Sequence, residues 1–137
     1  MLQWNSTYET GHKFIDLEHQ LLFDMANQVA AHGITHPERF KELYFELIQY
    51  TNLHFHTEEI VMKEIGYQQL QTHQISHQEI LKNMYGLLQA HRDMGVLLKE
   101  LEAFLQKWLV NHIVREDLAW RPVYLAWKNA RLGRQTA

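Results

Sequence analysis

Apolar residues recur at steps of three and four along nearly the whole chain. No alternating stretch is long enough for a strand, so the pattern predicts helices. A first helix is expected from about Asp16 to His32, with Leu22, Ala26 and Val29 on one stripe and Gly33 in the position that ends helices. Thr35-His36-Pro37-Glu38 has the form of a capping box and opens a second helix. Phe40, Leu43, Leu47, Tyr50, His54, Glu58, Val61 and Ile65 trace one face of it, and Gly66 breaks it. A third helix carries Leu70, His73, His77, Leu81, Met84 and Leu88, and Arg92-Asp93-Met94-Gly95 reads as the next turn. A fourth carries Leu98, Leu101, Leu105, Trp108, His112 and Ile113. Short connections favour antiparallel neighbours, so the expected fold is all-α, an up-down-up-down four-helix bundle. Residues 1–15 form an irregular lead-in with Trp4, Tyr8 and Phe14, and a helical extension follows at the C-terminus. The expected division is a domain over 1–125 and an extension or linker over 126–137.

The apolar stripes are interrupted by one residue type. His19 shares its stripe with Leu22, Ala26 and Val29, and His54 lies with Leu47, Tyr50 and Val61. His73 and His77 stand one turn apart in line with Leu70 and Met84, and His112 lies with Leu105, Trp108 and Leu109. Every helix thus aims one or two imidazoles into the core. One buried, unpaired polar group costs ~1–3 kcal/mol. Five would rival the ~5–15 kcal/mol stability of a whole domain, and a metal ion would satisfy them directly. Two acids join the set. Glu58 is one turn from His54, while Asp117 is five residues from His112, a spacing that needs a loosened final turn or an aspartate reaching back from the helix end.

Composition narrows the chemistry. The 137 residues suit one domain with a real core. There is no cysteine, which removes disulfides, thiolate zinc sites, iron–sulfur clusters and cysteine nucleophiles, and fits a cytoplasmic location. A net charge of -3 offers no field for nucleic acid, and no apolar run approaches the ~20 residues of a membrane span. Five imidazoles and two carboxylates exceed one tetrahedral zinc and suit two octahedral-leaning ions sharing bridges. Iron is favoured among redox metals, with manganese or zinc as possible occupants in vitro. Ferritin-type sites use paired Glu-x-x-His motifs; here the one such motif, Glu9–His12, falls in the irregular lead-in.

Four segments in order resemble the hemerythrin family, in its bacterial branch. They are Ile15-Asp16-Leu17-Glu18-His19, His54-Phe55-His56-Thr57-Glu58-Glu59 with Met62, His73-Gln74-Ile75-Ser76-His77, and Trp108-Leu109-Val110-Asn111-His112-Ile113 followed by Asp117. The resemblance implies two iron ions with an oxo or hydroxo bridge. One would be held by His73, His77 and His112, the other by His19 and His54, with Glu58 and Asp117 bridging. It also implies that molecular oxygen enters at the second iron, in a pocket lined by Phe55, Trp108, Leu109 and Ile113. Two positions depart from the family pattern. Glu18 stands where glutamine is common and is expected to face solvent, and Tyr67-Gln68 replaces Tyr-Pro ahead of the third helix, a change expected to affect helix entry. His12, His32, His36, His56 and His91 match no ligand position and are read as surface or supporting residues.

The expected function is reversible oxygen binding, for storage or delivery, without catalysis. A second reading is an oxygen or redox sensor acting on a fused effector domain, suggested by the aromatic, basic stretch after Pro122. A third is a di-iron oxidase or peroxidase, disfavoured by a histidine-rich donor set.

Overall fold

The computed structural model describes residues 2–90 and 93–136. Four antiparallel helical columns run up-down-up-down with no strand among the described residues. The first column is α1 (Lys13–Thr35), the second α2 (Pro37–Glu64) and the third α3 (Leu70–Ala90). The fourth is built from α4 (Met94–Leu105), two π-helical turns (Gln106–Val110 and Ile113–Asp117) and α5 (Leu118–Thr136), with no break in helical backbone. No described helix is long and apolar enough to cross a membrane.

Helix ends follow local chemistry, with two departures from expectation. Gly33 does not end α1; the helix runs on to Thr35. A Cβ at Gly33 would lie 2.5 Å from Leu98 and 2.9 Å from Phe40, so this glycine allows close helix packing and does not supply a turn. The capping box does not form either. Thr35 still belongs to α1, its hydroxyl donating to the Ala31 carbonyl, and His36 precedes Pro37, which occupies the first turn of α2. Gly66 ends α2 as expected, with φ +72°. Asp93 caps α4 by accepting from the Val96 amide, so that helix begins inside the expected turn. Arg92 and His91 lie outside the described residues.

The fourth column shows why its two π turns are needed. Leu97, Leu101, Leu105, Leu109, Ile113 and Asp117 are all buried, in unbroken four-residue steps, and Trp120 and Tyr124 continue the face. An α-helix advances ~100° per residue, so each such step overshoots a full turn by ~40°. Across the 27 residue steps from Leu97 to Tyr124, a regular α-helix would end about half a turn out of phase; two one-residue insertions bring it back to within roughly 20°. The expected phase at the top of this helix is accordingly off by one: Leu97 is the core residue and Leu98 is only half-buried.

Side chains separate into two apolar clusters. The larger holds Leu22, Phe23, Phe40, Tyr44, Leu47, Met84, Leu101 and Leu109, and the Tyr44 hydroxyl donates to the Met84 carbonyl at 2.6 Å. The smaller holds Ile15, Val61, Met62, Ile65, Trp120 and Tyr124, with Trp127 packed on it. In α1, α2 and the fourth column a buried polar residue falls between them, His19, Glu58 and Asp117 respectively. The lead-in covers the side of α1. Leu2 exchanges two 2.8 Å hydrogen bonds with the Asn27 side chain, and Trp4 and Tyr8 pack on Phe23. Phe14 is 67% exposed and takes no part in that cover.

In an open helix Gly→Ala stabilises by roughly 1 kcal/mol. Gly33→Ala is expected to do the reverse, because Phe40 is fully buried and cannot yield; the overpacking should cost about 1–3 kcal/mol, read as a lower midpoint in urea unfolding.

Candidate metal centre

The polar layer contains all seven side chains singled out in the sequence. His19, His54, Glu58, His73, His77, His112 and Asp117 are each 5% exposed or less. α1 contributes His19, α2 contributes His54 and Glu58 one turn apart, and α3 contributes His73 and His77 one turn apart. The fourth column contributes His112 and Asp117, whose five-residue spacing is spanned by the second π turn. There the Leu118 amide donates to the Ile113 carbonyl, five residues back. The loosening foreseen from the spacing is present, but it lies inside a continuing helix and not at a helix end.

Each carboxylate divides its two oxygens. Glu58 Oε1 lies 2.7 Å from His73 Nε2 and 3.3 Å from His77 Nε2, while Oε2 lies 3.2 Å from His54 Nε2 and 3.5 Å from His19 Nε2. Asp117 Oδ1 lies 2.9 Å from His73 Nε2 and 3.0 Å from His112 Nε2, while Oδ2 lies 3.0 Å from His19 Nε2. Two donor groups result, one of Glu58, His73, His77, His112 and Asp117, the other of His19, His54, Glu58 and Asp117. Within each group the donor atoms all lie within 4.8 Å of one another, close to the roughly 4.2–4.4 Å between opposite ligands around one ion at metal–donor lengths of ~2.1–2.2 Å.

The donors suit a cation better than they suit each other. His19 Nε2, His54 Nε2, both Glu58 oxygens and Asp117 Oδ2 are buried without a hydrogen-bond partner, although some lie 3.0–3.5 Å apart. They converge without aligning as donor and acceptor. Three of the rings have a partly exposed carboxylate at their outer nitrogen: His54 Nδ1 and His77 Nδ1 hydrogen-bond Glu18 at 2.9 Å and Glu59 at 3.2 Å, and His112 Nδ1 lies in an ion-pair contact with Glu116 at 2.5 Å. Glu116 also accepts from the Ser76 hydroxyl. A carboxylate outside fixes the proton on Nδ1 and turns the Nε2 lone pair inward. Glu18 was expected to face solvent; its place against His54 corrects that.

Electrostatics point the same way. Burial alone would lower the pKa of His19 and His73, but contacts with Asp117 and Glu58 outweigh it and hold both up at about 9. Burial likewise opposes charge on His112, and Asp117 and Glu116 push it up to about 10. Burial would raise Glu58 and Asp117, yet the surrounding imidazoles keep both carboxyls well below their usual range. The layer thus demands positive charge, from protons or from metal.

The residues expected to line an oxygen pocket are present around this layer. Phe55 stacks on His77 with ring centroids 3.8 Å apart and meets Trp108 edge-on. Trp108 lies beside His112, and Leu109 and Ile113 are buried. Trp4, read in the sequence only as part of the lead-in, supplies the aromatic ring next to His19, 6.2 Å away. Among the other histidines, His12 caps α1 by accepting from the Ile15 amide, and His36 and His56 are exposed.

Without metal, protonated imidazoles must balance the carboxylates. A raised histidine pKa adds stability in full below its unfolded value of 6.5 and loses it as pH climbs through 9 to 10. A depressed carboxyl adds stability above its unfolded value, near 4, and loses it on acidification. Thermal unfolding of metal-free protein is therefore expected to peak between about pH 4.5 and 6.5 and to fall toward pH 10. Metal-loaded protein should show the opposite trend across pH 5–8, since protons compete with the metal for the same nitrogens.

Comparison with known proteins agrees with this architecture. Residues 10–124 match the family model described as the hemerythrin HHE cation binding domain. A bacteriohemerythrin of Pseudomonas aeruginosa is 33% identical over 124 residues, covering 87% of this chain and 78% of the relative. One from Clostridium acetobutylicum is 27% identical, covering 85% and 96%. A crystal structure of wild-type hemerythrin superposes with a TM-score of 0.77 at 25% identity, over 90% of this chain and 98% of that one. The chain belongs to the hemerythrin family.

Proposed function

We propose that the buried layer holds two iron ions and binds molecular oxygen reversibly. His73, His77 and His112 are the terminal ligands of one ion, His19 and His54 those of the other, with Glu58 and Asp117 bridging. The supporting observation is the division of each carboxylate's oxygens between the two donor groups. When bound, the iron pair with its oxo or hydroxo bridge supplies the electrons and the position at which oxygen is held.

The chain supplies orientation, charge and dryness. Glu18, Glu59 and Glu116 fix the rings of His54, His77 and His112. The smaller number of imidazoles on the His19 side leaves that side for oxygen. Phe55, Trp108, Leu109 and Ile113, joined by Trp4, form an apolar wall that keeps water out and so favours release of oxygen over further reaction. A donor set of five imidazoles and two carboxylates favours binding over the high-valent chemistry of carboxylate-rich sites. Sensing is a second reading, favoured by one observation. Asp117 is followed directly by α5, whose residues from Lys128 to Gly133 are exposed, so the polar layer and this exposed stretch share one backbone. That stretch would then lead to an effector domain.

The direct test is an absorption spectrum of reduced, iron-loaded protein before and after oxygen is admitted. A visible band that appears, persists and vanishes under vacuum is expected. Rapid conversion to a stable oxidised form would displace the carrier reading in favour of sensing or redox chemistry. His73→Ala and His112→Ala should each lower the iron content measured per chain, and undiminished iron would refute their role as ligands. Leu109→Ala should open the apolar wall and speed autoxidation in air; an unchanged rate would remove Leu109 from the pocket.

A further inference from the structure

Asp117 reaches the buried polar layer only because the fourth column carries one extra residue in the π turn at Ile113–Asp117. In a regular α-helix the side chain five residues after His112 points ~140° away from it. Something must hold the longer turn, and the residues just beyond it are unusual. Pro122 lies inside α5, where proline removes an amide donor and its ring collides with the carbonyl four residues earlier. That carbonyl belongs to Leu118, the first residue after the π turn. Leu118 has ψ −17°, about 25° from the α-helical value, which tilts its carbonyl out of a regular turn. Two residues after Leu118, Trp120 has no exposed surface and is packed with Ile15, Met62 and Ile65. Removing the extra residue from the turn would rotate everything beyond it by ~100° and draw Trp120 out of that cluster.

We infer that Pro122 and Trp120 are positioning residues that lock the register of the second π turn, so that Asp117 faces the metal layer before any metal arrives. Pro122 disfavours the regular α-helical alternative, and Trp120 anchors the helix beyond the turn in the longer register. Both act through the backbone between Asp117 and Leu118. This inference rests on the proposed ligand role of Asp117.

The test titrates full-length, metal-free protein with cobalt(II), comparing wild type with Pro122→Ala, Trp120→Phe, Trp120→Ala and His112→Ala. Pro122→Ala is expected to bind cobalt ~10–100-fold more weakly, the range for losing a group that orients a ligand. Its thermal midpoint should equal or exceed that of wild type, because proline in a helix interior ordinarily destabilises. Weaker binding in a protein no less stable is a split that a purely structural residue would not produce. Trp120→Phe, which keeps an aromatic anchor, should bind close to wild type, whereas Trp120→Ala should bind more weakly; wild-type affinity in Trp120→Ala would remove Trp120 from the lock. Wild-type affinity in Pro122→Ala beside impaired binding in His112→Ala would sink the lock and leave the ligand reading standing. Wild-type affinity in His112→Ala would sink the ligand reading and the lock with it. A crystal structure of metal-free wild type in which the Leu118 amide bonds to Val114 in place of Ile113 would also overturn the inference.

Discussion

Glu58 and Asp117 are carboxylates with no exposed surface, in the middle of a bundle whose other interior residues are mostly apolar. Taking one such charge out of water costs several kcal/mol even after relaxation, and like charges at close range add to it. The surrounding residues are arranged to meet that cost. Five imidazoles turn Nε2 toward the pair, and three of them have a further carboxylate beside the outer nitrogen. Positive charge has to sit between these groups. Protons can provide it, as the raised histidine pKa values near 9 and 10 show, and metal ions can do so with more charge in less space.

The same requirement accounts for the shape of the fourth column. α2 and α3 each place two of these residues by ordinary four-residue spacing, because such residues share a helix face, and α1 needs to place only His19. Asp117 enters from the helix that already carries His112, at a five-residue spacing that ordinary helix geometry does not bring to one face. A π turn achieves this without ending the helix. The aligned apolar face then continues through Trp120 and Tyr124 and closes the layer from below, while Leu109 and Ile113 close it from above. Sealed at both ends by apolar side chains, the polar layer keeps its electrostatics at low dielectric, where charged contacts are strong.

The seven residues of the buried polar layer were legible in the sequence because nearly every one interrupts an otherwise apolar stripe, and a buried polar residue on four helices at once needs an explanation. The helix count followed from the same periodicity. Other features depend on contacts between elements and left weaker marks. Gly33 carried the local signal of a helix end, but its smallness serves the approach of Phe40 and Leu98 from other helices. Glu18 looked solvent-facing on its own helix; only the neighbouring α2 brings His54 to it. Trp4 lies in a segment with no periodicity, and its position beside His19 depends on a hydrogen-bonded pairing of Leu2 with Asn27. The first π turn left no such mark. Leu98, Leu101, Leu105, Trp108 and His112 offer regular steps of three and four in the sequence, and only the burial of Leu97, Leu101, Leu105, Leu109 and Ile113 in steps of four reveals the extra residue.

The central claim is that two ions share one pair of carboxylates. Crystals of iron-loaded protein, measured on both sides of the iron absorption edge, test it most directly. Two anomalous peaks are expected inside the polar layer, one within reach of His73, His77 and His112 and the other within reach of His19 and His54, with Glu58 and Asp117 contacting both. A single peak, or two peaks that do not share those carboxylates, would contradict the account.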